Sequence, residues 1–209
     1  MRKFLRLLDN SKLVKDMPFT YGIFGGAVRS WILGRDPRDI DIAVDCTQEQ
    51  LTEYILDVVS DKNLSSNRFG GFKFKDAGYE FDMWPLAETW AIKNEKIEPT
   101  FENLSRYASF NADCIVMEVS RNKCIPLHDF GFAEAANSGI VEVNYAPNPI
   151  APYNAMRGLR ICKTYNWKPG KSLLEYVKEH VNEKNKPILE LRYKKSYGEE
   201  IGDLWKMVE

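Results

Sequence analysis

Residues 21–44 constrain the fold of this 209-residue chain more than any other part of the sequence. A short apolar run, Tyr21–Phe24, leads into Gly25 and Gly26, and residues 27–33 after them have helical character. A second run then alternates as Asp39-Ile40-Asp41-Ile42, the pattern of a strand with one polar and one apolar face. This order predicts a strand, a tight glycine turn, a helix and another strand.

Asp39 and Asp41 are the candidate metal ligands of this segment. They are two residues apart, so a strand projects both carboxylates from one face. Neighbouring carboxylates repel each other unless a cation joins them, and Mg²⁺ binds one or two carboxylates together with phosphate oxygens. An isolated Asp-x-Asp pair is more typical of surface charge. Here Gly25 and Gly26 allow the backbone to approach a phosphate, and Arg29 is placed to reach the same anion.

A resemblance to a known family rests on residues 25–41, which read GGAVRSWILGRDPRDID. The run closely resembles the first motif of the CCA-adding enzymes and bacterial poly(A) polymerases, which are polymerase-β-like nucleotidyltransferases. The usual pattern is GGxVRDxLLGRxxxDhD, where h is apolar, and Ser30 is the clear departure from it. The resemblance implies an α+β head with a mixed sheet and flanking helices, followed by a short helical extension. We expect the catalytic head over residues 1–145 and a neck-like extension over 146–209.

Two later segments resemble the family less faithfully. Residues 79–83 resemble the strand that follows the active-site strand, which implies that Asp82 supplies a third acidic group; a solvated strand residue is the equal alternative. Residues 105–112 resemble the family pattern RRDFThNA. The resemblance implies that Arg106 contacts the triphosphate and that Asn111 contacts the sugar or nearby backbone. A purely structural role for Asn111, such as capping a turn, is the alternative.

A third later segment, residues 153–160, resembles the family pattern EDxxRxxR. In the family the Asp and the first Arg read the Watson–Crick edge of the incoming nucleotide, which implies nucleotide contacts for Asn154, Arg157 and Arg160. A carboxylate only accepts hydrogen bonds, whereas the amide of Asn154 both donates and accepts them. We therefore expect relaxed or altered base choice rather than addition of C and then A.

Charge and composition indicate which partners, cysteine sites and compartment to expect. The net charge of −1 gives no global field for a nucleic-acid partner, but residues 160–195 contain ten Lys or Arg against four Glu, a local charge of +6. That stretch is either a polyanion-facing surface or a solvated helix surface. The scattered cysteines predict neither a zinc site nor a disulfide framework. A short, charged N-terminus and the lack of a membrane-length apolar run predict a cytoplasmic protein.

The function expected from these features is template-independent transfer of a nucleotidyl group from an NTP to an acceptor hydroxyl, with Mg²⁺ (or Mn²⁺) held by Asp39 and Asp41. The first candidate acceptor is the 3′ end of a tRNA-like RNA. The resemblance covers residues 20–165, and the residues after 165 are too few to form the parts of the family that grip tRNA, so the basic stretch is the visible candidate for that grip. The alternatives are a toxin or defence enzyme that modifies tRNA, a protein or a small nucleotide, and a non-catalytic nucleotide- or RNA-binding module. The nucleotide, the acceptor and the oligomeric state stay open.

Overall fold

The chain forms two compact units. The computed structural model describes residue 7 and residues 10–59, 64–66, 70–120 and 126–208. The head unit comprises Met1–Tyr107 and Asp113–Phe130, and the helical unit comprises Ala108–Ala112 and Gly131–Glu209. The helical unit therefore begins earlier than the boundary expected at residue 145.

The head unit is built on a mixed sheet, which among the described residues has seven strands in the order β3-β4-β5-β2-β1-β6-β7. The strands are β1 (Tyr21–Phe24), β2 (Asp39–Val44), β3 (Ser65–Ser66), β4 (Phe72–Asp76), β5 (Tyr79–Pro85), β6 (Ile115–Val119) and β7 (Leu127–Asp129). Strands β2 and β5 are parallel, and the other neighbouring pairs are antiparallel. The β4–β5 hairpin turns at Ala77 and Gly78, both of which have positive φ.

Short helices connect and cover these strands. They are α1 (Lys12–Lys15), α2 (Gly26–Ile32), α3 (Gln48–Val58), α4 (Trp90–Glu95) and α5 (Phe101–Arg106), with 3₁₀ turns at Leu86–Glu88 and Asn111–Asp113. Helix α3 begins in a capping box, because the Thr47 hydroxyl accepts from the Gln50 backbone N–H while the Gln50 side chain accepts from the Thr47 N–H.

The alternation of β2 decides which residues enter the core. Ile40 and Ile42 are fully buried on one face of the sheet. The opposite face carries Asp39, Asp41 and Ala43. Ala43 belongs to an apolar cluster to which α4 and α5 also contribute; its buried members are Ala43, Leu86, Ile92, Phe101, Leu104 and Val116. On this face the two aspartates therefore lie toward the N-terminal end of β2, and Ala43 lies toward its C-terminal end.

The helical unit has its own core. Its elements are α6 (Phe132–Ser138), β8 (Ile140–Val141), α7 (Ala151–Tyr165), β9 (Lys168–Pro169), α8 (Lys171–His180), α9 (Lys186–Tyr197) and α10 (Gly202–Trp205). A Cβ at Gly158 of α7 would lie 2.6 Å from Leu173 of α8, so glycine is needed for these helices to pack. β8 pairs with β9, which ties residues 131–145 to this unit and accounts for the earlier boundary.

The fold class expected from the sequence, an α+β head with a mixed sheet and a helical C-terminal part, is confirmed. No helix in the described part of the chain is both long and apolar enough to cross a lipid bilayer.

Candidate active site

The glycine turn forms between β1 and α2. Gly25 has φ +52° and ψ −106°, a conformation that residues with a Cβ rarely adopt. Its N–H donates to the Ile115 carbonyl at 2.8 Å, and its carbonyl accepts from the Arg29 N–H at 2.9 Å. Gly26 begins α2 and, like Gly25, adds no side chain to the turn. The strand, turn and helix follow each other as the sequence predicted, with Gly25 buried and Gly26 half-buried at the start of α2.

The Arg29 side chain packs inside the head unit, next to this turn. It is buried, and its guanidinium forms an ion pair with the carboxylate of Asp113, which is also buried. A Cβ at Gly25 would lie 3.3 Å from the Asp113 Cβ and one at Gly26 would lie 3.5 Å from the Arg29 Nη2. The sequence led us to expect Arg29 as a phosphate ligand. In the structure the guanidinium is paired with Asp113, a carboxylate distant in sequence, next to the turn, and phosphate binding by Arg29 stays a prediction.

The aspartates come together through the parallel pairing of β2 and β5. Asp41 is directly opposite Asp82, and Asp39 is directly opposite Glu80. All three aspartates are half-buried. Residues opposite each other on neighbouring strands share a face, so Asp39, Asp41 and Asp82 form one acidic group. Of the two alternatives for Asp82, this placement favours the third acidic group.

Basic side chains already lie against this acidic group. Arg38 forms an ion pair with Asp39, and the Lys73 Nζ is 2.6 Å from the Asp82 Oδ2. Partial burial opposes the charged form of Lys73, but its hydrogen bond with Asp82 favours that form. The charges of Asp41 and Asp39 act in the same direction, and the pKa of Lys73 is raised above its usual value.

An open cavity of about 280 Å³ adjoins these residues. Its lining consists of Asp39, Ser65, Lys73, Phe74, Lys75, Glu80, Phe81 and Asp82. In the described part of the chain no three His, Cys, Asp or Glu residues form a group that could hold a metal ion by themselves. Mg²⁺ seldom uses such a cage; it takes one or two carboxylates and completes its shell with water and substrate phosphates. Asp39 and Asp41 fit that mode, and the cations drawn onto Asp39 and Asp82 show that the carboxylates attract positive charge.

Arg106 and Asn111 have other partners close by. Arg106 forms a 2.8 Å ion pair with Glu102 and stacks over the Phe130 ring, 4.4 Å from its centroid. The Asn111 Oδ1 accepts from the N–H groups of Ala112 and Glu142, and its Nδ2 donates to the Ile140 carbonyl. Asn111 therefore has the structural role that the sequence left open as an alternative.

The three predicted nucleotide contacts of α7 have different surroundings within the helical unit. Asn154 is only 1% exposed and lies beside Tyr176 of α8. Neither the Asn154 Oδ1 nor the Tyr176 hydroxyl has a partner with hydrogen-bond geometry among the described residues. Arg160 stacks on the Tyr197 ring at 3.9 Å, whereas Arg157 is exposed. Of the three, Arg157 is the one whose side chain is open to a ligand.

Two residues near the candidate site were missed by sequence reasoning. Asp113 follows the Asn111 segment without any spacing that links it to Arg29, which is 84 positions away. Lys73 does carry a signal, because β4 alternates as Phe-Lys-Phe-Lys and so places Lys73 and Lys75 on one face. The parallel β2–β5 pairing, needed to aim that face at Asp41, does not follow from the alternation.

The mixed sheet with flanking helices is the fold of a polymerase-β-like nucleotidyltransferase head. Residues 21–113 match the family model for the poly A polymerase head domain. The resemblance to the CCA-adding enzyme and bacterial poly(A) polymerase family, inferred from residues 25–41, is thereby confirmed.

Solved structures share the fold at low sequence identity. A tRNA nucleotidyltransferase complexed with a primer tRNA and an incoming ATP analog superposes with a TM-score of 0.67 at 21% identity, over 93% of this chain and 59% of that chain. A CCA-adding enzyme in complex with CTP gives a TM-score of 0.67 at 19% identity, over 96% of this chain and 48% of that chain. This chain thus spans about half the length of these structures. No curated protein matches the sequence.

Proposed function

We propose that this chain is a metal-dependent, template-independent nucleotidyltransferase that moves a nucleotidyl group from an NTP to an acceptor hydroxyl. The observation that carries the proposal is the acidic group on β2 and β5, with Asp41 opposite Asp82, in the same sheet as the strand that leads into the glycine turn. The match of residues 21–113 to the poly A polymerase head domain supports the same chemistry.

Each residue of the head unit has a distinct part in this proposal. Asp39 and Asp41 would hold Mg²⁺, which would supply positive charge to offset the negative charge that develops on the phosphates. Gly25 shapes the turn, with its own N–H and carbonyl paired to Ile115 and Arg29, and Gly26 lets a triphosphate oxygen approach the start of α2, since no side chain intervenes. Asp82, which faces Asp41, orients the acceptor hydroxyl and accepts its proton as pyrophosphate leaves.

The acceptor proposed first is an RNA 3′ end of tRNA type. The neighbouring folds include a tRNA nucleotidyltransferase solved with a primer tRNA. Within the helical unit, Lys184, Arg192 and Lys195 are exposed members of the basic stretch, and their charge suits a phosphate backbone.

Relaxed base choice is part of the same proposal. With Asn154 buried beside Tyr176 and Arg160 stacked on Tyr197, Arg157 is the remaining exposed member of the base-reading segment. A single guanidinium donates hydrogen bonds but accepts none, so it cannot read a full Watson–Crick edge. Selection among the four bases should therefore be weaker than in an enzyme with a complete reading pair.

Labelling of total RNA tests both parts. The protein is incubated with Mg²⁺, total RNA and each of the four α-labelled NTPs in separate reactions, and the products are sized on a denaturing gel. We expect label in RNA of tRNA size from more than one NTP. Label in protein or in a small nucleotide would favour the alternative function of a toxin or defence enzyme. Strict use of CTP and then ATP would contradict relaxed base choice. No label in any product would refute the proposed activity.

A further inference from the structure

Three strands place a lysine in line with the acidic group. Lys73 of β4 is directly opposite Asp82 of β5, which in turn is directly opposite Asp41 of β2. The Lys73 side chain is 57% exposed, and its ammonium is held against β5, 2.6 Å from the Asp82 Oδ2. Lys73 and Asp39 also line the same cavity. Lys73 on β4, Asp82 on β5 and Asp41 on β2 therefore form a row of one cation and two carboxylates across three neighbouring strands.

Lys75, the next lysine on β4, allows a comparison with the Lys73–Asp82 ion pair. Lys75 projects from the same face of β4, but it is opposite Glu80 and forms a 3.0 Å ion pair with that residue. Both members of that pair are largely exposed, at 71% and 59%. Lys73 is 57% exposed and Asp82 is 20% exposed, so the Lys73 pair is the less screened of the two, chiefly on the side of its carboxylate.

A divalent ion at Asp82 has to compete with this ammonium. A Mg²⁺–oxygen distance is about 2.0–2.1 Å, so an ion bound to Asp82 would lie within a few ångströms of a Lys73 that kept its present contact. At that separation the repulsion between a single and a double positive charge is large even with strong screening. Either the ammonium leaves or the ion binds weakly.

We propose that Lys73 is the resident cation of Asp82, so that the chain binds one divalent ion at Asp39 and Asp41 and takes a second at Asp82 only weakly. The inference rests on the proposed function insofar as Asp39 and Asp41 are the metal ligands. It assigns Lys73 the part of a positioning residue, one that holds the Asp82 carboxylate toward Asp41 and limits the number of ions in the site.

Mn²⁺ titration without nucleotide tests this inference independently of turnover. Free Mn²⁺ is measured by electron paramagnetic resonance for the full chain, for Lys73→Met, for Lys73→Arg, which keeps the cation, and for Lys75→Met as the matched control. We expect one Mn²⁺ per wild-type chain, and a second in Lys73→Met that binds about tenfold more tightly than any second ion in wild type. Lys73→Arg and Lys75→Met should behave as wild type, and circular dichroism verifies that each variant is folded.

Several outcomes would overturn the inference. They are an unchanged stoichiometry and affinity in Lys73→Met, an equal gain in Lys75→Met or Lys73→Arg, and no Mn²⁺ binding by any form. Failure of the proposed function gives a different result, because the Lys73 effect on Mn²⁺ would be present while wild type labelled no acceptor. If wild type labels RNA and Lys73→Met binds Mn²⁺ as wild type does, the Lys73 inference alone fails.

Discussion

Replacing Asp113 by Asn should destabilise the head unit by about 3 kcal/mol. The side chains of Asp113 and Arg29 are each only 10% exposed, so the pair is buried. Asn has nearly the size of Asp, so the change removes a charge without opening a cavity and leaves a buried guanidinium facing a neutral amide. Removing one partner of a buried ion pair typically costs about 3–5 kcal/mol, and the residual exposure of Arg29 to water favours the lower end.

Urea unfolding followed by far-ultraviolet circular dichroism measures this loss, because urea is uncharged and leaves ion pairs unscreened. Glu88→Gln is the matched control: its partner Lys93 lies at 2.7 Å, but both side chains are exposed, and we expect a loss below about 1 kcal/mol. Adding Arg29→Met to Asp113→Asn removes the uncompensated charge and should restore at least about 1 kcal/mol. If Asp113→Asn costs no more than Glu88→Gln, the buried ion pair does not stabilise the head unit as expected.

Other changes test the turn, a helix cap, a half-buried tyrosine and the buried amide. Gly25→Ala should lower the free energy of unfolding in urea by about 2 kcal/mol, because Gly25 has a positive φ and Asp113 lies near its Cβ position. Gly34→Ala should cost less, because Gly34 also has a positive φ but has no atom near its Cβ position. Equal losses would argue against a strained turn. Thr47→Ala should lower the thermal midpoint by an amount equivalent to about 1 kcal/mol through loss of the capping box, and an unchanged midpoint would contradict that role. Burial, and after it the charges of nearby aspartates, raises the pKa of Tyr54 to about 12. Its contribution to stability is therefore complete below pH 10 and declines as the pH rises toward 12. The pKa values of Tyr21, Tyr176 and Tyr193 are also raised, so ultraviolet titration at high pH should show one late-ionising tyrosine fewer in Tyr54→Phe than in wild type, and an equal number would contradict the assignment. Asn154→Asp should lower the free energy of unfolding by at least about 1 kcal/mol, because it places a carboxylate at a position that is only 1% exposed; an unchanged value would show that the site is open to water.

The parts of the site that depend on local sequence were predictable. The positive φ of Gly25 follows from a strand that must turn at once into a helix, and the shared face of Asp39 and Asp41 follows from the period of a strand. The turn between β4 and β5 was also predictable from local sequence, because Asp76-Ala77-Gly78 separates two strand-like runs and supplies a glycine for the positive φ that a tight hairpin needs.

The parts that depend on distant residues were not predictable. Arg29 was expected to face an anion, but its partner Asp113 is brought beside it only when β6 pairs with β1. Asn154 and Arg160 match a family motif by spacing alone, whereas the packing of α7 against its neighbours decides that one is buried and the other stacks on Tyr197. The unit boundary likewise depends on the pairing of β8 with β9, and strands of two residues leave no recognisable pattern in a sequence.

Nucleotidyl transfer by the Asp39→Asn, Asp41→Asn double variant is the most direct test of the central claim, that these two aspartates hold the catalytic metal. Asp45→Asn is the matched control, because Asp45 comes directly after the same strand and is exposed. Label incorporated from α-labelled NTP into RNA is measured at equal concentrations of folded protein. Wild type and Asp45→Asn should label the RNA, and the double variant should lose at least about a thousandfold in rate while its circular dichroism spectrum is unchanged. Label incorporation by the double variant at the wild-type rate would show that the chemistry does not depend on Asp39 and Asp41.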